Sequence, residues 1–136
     1  MADTGRLLQA QPGSATAFKA KETAVSAARA YIEEALEACE LTHLMDDAKL
    51  IVSELVTNAI RYTTDVVVVQ WSVSEDAEFV IEVGDSAPEL PEIATDDALS
   101  LHGRGLVIVA AVADDWGAHR IEGGKITWAT LKIQSA

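Results

Sequence analysis

The chain has 136 residues, 49% of them hydrophobic, and a formal net charge of −12. That length suits one domain with one core. Its 10 Lys and Arg residues are spread along the chain, which argues against direct nucleic-acid binding, because that surface needs clustered bases. The acidic balance fits a soluble protein, or one that meets a basic protein surface. Cys39 is the sole cysteine, so no internal disulfide can form, as suits a reducing cytosol. Met1 to Ala17 lacks the basic-then-apolar pattern of a signal peptide. No apolar run approaches the roughly 18 residues of a membrane helix. A cytoplasmic protein without a membrane anchor is expected.

The first 14 residues hold Gly5, Pro12, Gly13 and Ser14 without periodicity and read as a flexible arm, 1–14. The remainder, 15–136, reads as one domain. From Lys21 to Cys39, Ala24, Val25, Ala28, Tyr31, Ile32, Ala35, Leu36 and Cys39 recur at helical spacing. A second helix is expected from about Asp46 to Tyr62, its acids at the N-terminal end where the dipole favours them. Its core stripe is Ala48, Ile51, Val52, Leu55, Val56 and Ala59. Val66–Val73 is β-branched and reads as a strand, paired through a turn at Ser74–Ala77 with Glu78–Val83. Gly84–Gly103 reads as a long irregular stretch, of the kind that forms lids and binding loops. Gly105–Asp114 reads as a helix. Trp116–Arg120 and Lys125–Ile133 form a closing hairpin around Glu122-Gly123-Gly124. This order predicts an α+β fold, a two-layer sandwich of helices on a mixed, mostly antiparallel sheet.

Three clusters carry chemistry. In Glu54-Leu55-Val56-Thr57-Asn58-Ala59-Ile60-Arg61, spacings of four and three put Glu54, Asn58 and Arg61 on one helix face. An interior asparagine is a mediocre helix former, which favours a task for Asn58. Asp85 follows a buried strand, where its carboxylate can accept hydrogen bonds from a ligand at the sheet end. Gly103-Arg104-Gly105-Leu106 opens an apolar helix, where free N–H groups can meet a phosphate. It is neither a dinucleotide fingerprint nor a P-loop, because Ile108 occupies the third glycine position and no Gly-Lys-Ser/Thr follows. His43, His102 and His119 are isolated and lack metal-ligand spacing.

Taken together, the clusters occur in the order of the nucleotide-binding boxes of the gyrase/histidine-kinase/MutL ATPase superfamily. "SELVTNAIRYT", "VGDSAPELP", "GRGLVIVAAVADDWG" and "GGKITWATL" resemble the boxes and closing strand of the small bacterial anti-sigma-factor serine kinases and their actinobacterial relatives. The resemblance spans roughly Phe18 to Ile133. It implies a histidine-kinase-like ATPase fold that binds ATP and Mg²⁺. Asn58 resembles the magnesium ligand and Glu54 the carboxylate that activates or orients the attacking group. Asp85 resembles the adenine reader, and Gly103, Arg104 and Gly105 the end of the lid over the phosphates. Ala87, Leu106 and Thr130 complete the implied cofactor-binding set, and Arg61 lies on the face that can meet phosphate charge.

The second box departs from the superfamily's Asp-x-Gly-x-Gly, with Ala87 and Glu89 at the glycine positions. The resemblance implies a partner-switching serine/threonine kinase. It would phosphorylate a serine on an anti-sigma-factor antagonist and sequester a sigma factor. The alternative is a non-catalytic partner-binding module with a degenerate nucleotide site. Relatives commonly pair through the sheet or the first helix, so the resemblance allows a homodimer.

Overall fold

The computed structural model describes residues 11–87 and 101–133, with residues 11–13 and 101–105 described by their backbone alone. Helix α1, Thr23–Ala38, buries Ala24, Ala28, Ile32, Ala35 and Leu36, the stripe its three-and-four spacing requires. It ends with Glu40 in the left-handed region, φ 59°, while the Leu41 N–H donates to the Leu36 carbonyl at 2.7 Å. That bond satisfies a carbonyl orphaned at the helix end. A single 3₁₀ turn, Thr42–Leu44, leads into helix α2, Met45–Tyr62. Asp46 and Asp47 sit in its first turn and Arg61 in its last, both favourable to the helix dipole.

Five strands form one sheet: β1 Gln11–Lys19, β2 Val66–Val73, β3 Glu78–Asp85, β4 Asp115–Ile121 and β5 Gly124–Lys132. Their order is β1-β2-β3-β5-β4. Every strand pairing among the described residues is antiparallel, in keeping with the mostly antiparallel sheet that the sequence predicts. Two tight hairpins, β2–β3 and β4–β5, fix two of these pairings, since a short connection can only join antiparallel neighbours. The third helix, α3, lies between β3 and β4 in the chain.

Val67 and Val69 of β2, Phe79, Ile81 and Val83 of β3, and Ala129 and Leu131 of β5 point into the core, under α1 and α2. Phe79 stacks on Trp71 with centroids 5.8 Å apart. Strand alternation then sends Val66, Val68 and Gln70, Glu82 and Gly84, and Ile126, Trp128 and Thr130 to the opposite face.

Two expectations are corrected. The arm expected over 1–14 overlaps β1, to which residues 11–14 belong and which pairs with β2 from Gln11↔Val73 to Lys19↔Val66. As an edge strand, β1 has one partner and weak burial, with Ser14, Ala15 and Ala17 exposed and Thr16 and Phe18 half-buried. Local pattern therefore carries little sign of it. The rest of the arm, 1–10, lies outside the described residues. Helix α3 spans Leu101–Val112 rather than Gly105–Asp114, so Gly103 and Gly105 lie within it. Each glycine costs about 1 kcal/mol there relative to alanine. Burial of Leu106 and Val109 in the core offsets that cost.

Candidate functional site

Asp85 closes β3 on the helix-covered face of the sheet. Directly opposite it in register stands Lys125 of β5. Lys125 Nζ donates to both Oδ1 and Oδ2 of Asp85 at 2.9 Å. Both side chains are 1% exposed, so this is a buried, two-pronged ion pair. Asp85 Oδ1 also accepts from the Ala87 N–H at 2.8 Å, which brings the start of the second box back onto the carboxylate. Burying two charges is tolerable only when the geometry supplies this number of hydrogen bonds.

The neighbours hold the pair in place. Lys125 Nζ lies 5.9 Å from the ring centroid of Tyr62, the last residue of α2, within cation–π range. The Thr63 and Ser86 hydroxyls bond to each other, joining the end of α2 to the end of β3. Gly124 sits where a Cβ would fall 1.8 Å from the Asp85 carbonyl oxygen. Only glycine lets β5 start this close to β3. Gly123 beside it takes φ 86°, the left-handed turn residue of the β4–β5 hairpin.

The second part of the site is the flank of α2. Asn58 is buried at 8% exposure, Glu54 one turn earlier is half-buried, and Arg61 is exposed. Glu54 also borders a shallow cleft of about 470 Å³ with Arg29, Asp46, Lys49, Leu50 and Ser53. Gly103, Arg104 and Gly105 lie in the first turns of α3, which packs against α2. Ala87 is buried beside Asp85, and Leu106 is buried in the core.

Thr130 is not brought to this cluster. Its neighbours Ala129 and Leu131 face the core, so its side chain points to the other side of the sheet, where it is fully buried. Thr127 is the β5 threonine on the Asp85 face, and it too is buried. Glu89 and residues 88–100 of the stretch expected to form a lid lie outside the described residues. Lys125 is the site residue that the sequence reading missed. A lysine at an inward position of a strand, directly after Gly-Gly, was the available signal, and the β3–β5 register gives it meaning.

A pocket of about 310 Å³ opens on the opposite face of the sheet, lined by Val66, Val68, Gln70, Glu82, Ile121 and Ile126 among others. It is mostly apolar and shares Gly84, Asp85, Ser86 and Gly123 with the Asp85 region. Among the described residues no cluster of three or more His, Cys, Asp or Glu side chains could hold a metal ion. No described helix is long and apolar enough to cross a membrane.

These elements define a class: helices on one face of an antiparallel sheet, with a polar helix flank and an acidic strand end beneath it. Residues 18–131 match the family model described as the histidine kinase-like ATPase domain, and the chain belongs to that family. A comparison with curated proteins returned no significant match. Among solved structures, the crystal structure of the RsbU and RsbW domains of Rv1364c from Mycobacterium tuberculosis matches 90% of this chain, with a TM-score of 0.69 and 22% identity. The chain spans about a third of that structure's length, 32%. The Acinetobacter baumannii histidine kinase AdeS matches 97% of this chain and 74% of its own, with a TM-score of 0.50 and 18% identity. At these identities the likeness is one of fold.

Proposed function

We propose that the chain is an ATP-dependent serine/threonine kinase of the partner-switching type, which phosphorylates a serine on an anti-sigma-factor antagonist and sequesters a sigma factor. The observation that carries this reading is the buried Asn58 with Glu54 one helical turn away on α2, the helix against which α3 packs. Fold similarity to a structure containing an RsbW domain supports the partner-switching form. A cytoplasmic setting and a homodimer belong to the same proposal.

The donor set suits a nucleotide with its metal. Asn58 offers a hard amide oxygen, the ligand type that Mg²⁺ prefers, and the ion when bound supplies charge neutralisation at the phosphates. Glu54 would accept the hydrogen bond of the acceptor serine and take its proton as the serine oxygen bonds to the γ-phosphorus and the bond to the ADP leaving group breaks. Such positioned general-base help contributes roughly 10²–10⁴-fold. Arg61 adds positive charge on the same flank, and the N-terminal N–H groups of α3 present further donors to phosphate oxygens. Asp85 faces the base.

The test is transfer of labelled γ-phosphate from ATP to a purified antagonist carrying the acceptor serine. Serine phosphorylation that is lost in Glu54→Gln is expected. Antagonist binding without transfer would instead favour a non-catalytic partner-binding module. The Lys125 ammonium on Asp85, together with Ala87 and Glu89 in the second box, is what favours that second reading.

A further inference from the structure

We infer that residues 1–10 dock on the sheet face opposite the helices, with Leu7 and Leu8 over its central strands and Arg6 at Glu82. The observation is a gradient of burial along that face. Ser72, Val80 and Thr130 stand in register across β2, β3 and β5 and are 1%, 0% and 0% exposed. One row further along, Glu82 is 4% exposed, with Gln70 and Trp128 half-buried beside it. At the far end Val68 and Val66 are 38% and 39% exposed. A face that met only solvent would leave its central row exposed as well. Val80 is no part of the helix-side core, and among the described residues no helix lies over this face.

The position of the buried row selects what covers it. It lies at the end of the sheet where β1 begins, because Gln11 pairs with Val73, next to Ser72. Residues 1–10 join the sheet at that point. Arg6 to Ala10, extended, span roughly 16 Å, ample to pass from the buried row to Glu82, two residues along β3. Residues 88–100 follow β3 at its opposite end, beyond Asp85. Gln134-Ser135-Ala136, after β5, bring no large apolar side chain.

The chemistry of the face agrees. The Ser72 and Thr130 hydroxyls are buried with no hydrogen-bond partner among the described residues. A polar cover would bond them, whereas an apolar one leaves them as they are. Leu7 and Leu8 supply an apolar cover. Arg6 is the one cation of the segment, and Glu82 gives it a buried carboxylate to meet. The chain thereby closes the middle of its own sheet to other proteins. The end with Val66, Val68 and Ile121, beside the pocket of about 310 Å³, stays open.

A nitroxide on Thr4→Cys, in a Cys39→Ser background of the full chain, tests this by nuclear magnetic resonance. The amide signals of Ser72, Val80 and Thr130 should lose most of their intensity. Those of Glu33 and Leu50, on the helices, should keep theirs. Adding Leu7→Ser with Leu8→Ser should return most of the lost intensity, and Arg6→Glu should return part of it. These three substitutions precede β1 and leave the described fold intact. Full intensity at Val80 in the labelled chain, or equal losses at Val80 and Leu50, overturns the inference. So does an unchanged loss in the Leu7→Ser, Leu8→Ser variant. Mixing nitroxide-bearing chain with isotope-labelled chain that lacks the nitroxide should leave the three signals intact. Their loss in that mixture puts a second copy on the face and overturns the inference as well.

Discussion

The two ends of the candidate site are built differently. At the sheet end, Asp85, Lys125, Ala87 and Gly124 are buried and locked by strand register, hydrogen bonds and one backbone contact that tolerates no side chain. On the helix flank, Glu54, Asn58 and Arg61 are placed by helical spacing alone and run from buried to exposed. A residue in the first region contributes to folding as well as to any ligand. A polar residue on the second is held by a helix whose stability comes from its opposite, apolar stripe. Substitutions should therefore cost stability at the sheet end and mainly function on the flank.

The largest effect is expected at the ion pair. Lys125→Met strands a buried carboxylate and should lower the unfolding free energy by roughly 3–5 kcal/mol in chemical denaturation. Adding Asp85→Leu should recover most of that loss, because an apolar pair of similar volume is often as stable as the ion pair. A loss below about 1 kcal/mol in the single variant would mean that the pair is not built as described.

Gly124→Ala comes next. Its Cβ would meet the Asp85 carbonyl oxygen at 1.8 Å, so β3 and β5 must part locally. We expect a loss of roughly 2–3 kcal/mol by the same measurement. Gly123→Ala, whose Cβ meets nothing within 4 Å but whose φ is 86°, should lose about 1 kcal/mol. Equal losses at the two glycines would remove the case for a special contact at Gly124.

On the flank, Asn58→Ala should cost about 1 kcal/mol of stability. It should also abolish the Mg²⁺-dependent part of ATP affinity, read by calorimetry with and without the metal. The smallest stability effect is expected for Glu54→Gln, within about 0.5 kcal/mol. The same variant should slow phosphoryl transfer by roughly 100-fold or more. A stability loss at Glu54 as large as that at Lys125 would erase the contrast between the two regions.

Much of this was legible before the fold was seen. The stripes Ala24–Leu36 and Ala48–Ala59, the β-branched run of β2 and the Gly-Gly turn are local signals. Local signals suffice where burial follows periodicity. The grouping of Glu54, Asn58 and Arg61 was legible for the same reason, since helix geometry fixes which residues share a face. What escaped depends on pairing across long stretches of chain. Strand β1 joins β2 across two helices, and its edge position leaves four of its six described side chains exposed. Helix α3 starts at Leu101 because core burial outweighs the low helical preference of two glycines.

The sequence by itself determined the order of the elements after β1, the α+β class and the polar face of α2, because each follows from spacing within a few turns of chain. Tertiary structure decided which face of β5 meets the site. It sent Thr130 to the far side, and it set Lys125 on Asp85 from 40 residues away in the chain. The reason is register. A strand's side chains alternate, so sliding one strand by a single residue would exchange every inward group for an outward one. That register is held here by core residues on both strands and by the side-chain-free contact at Gly124.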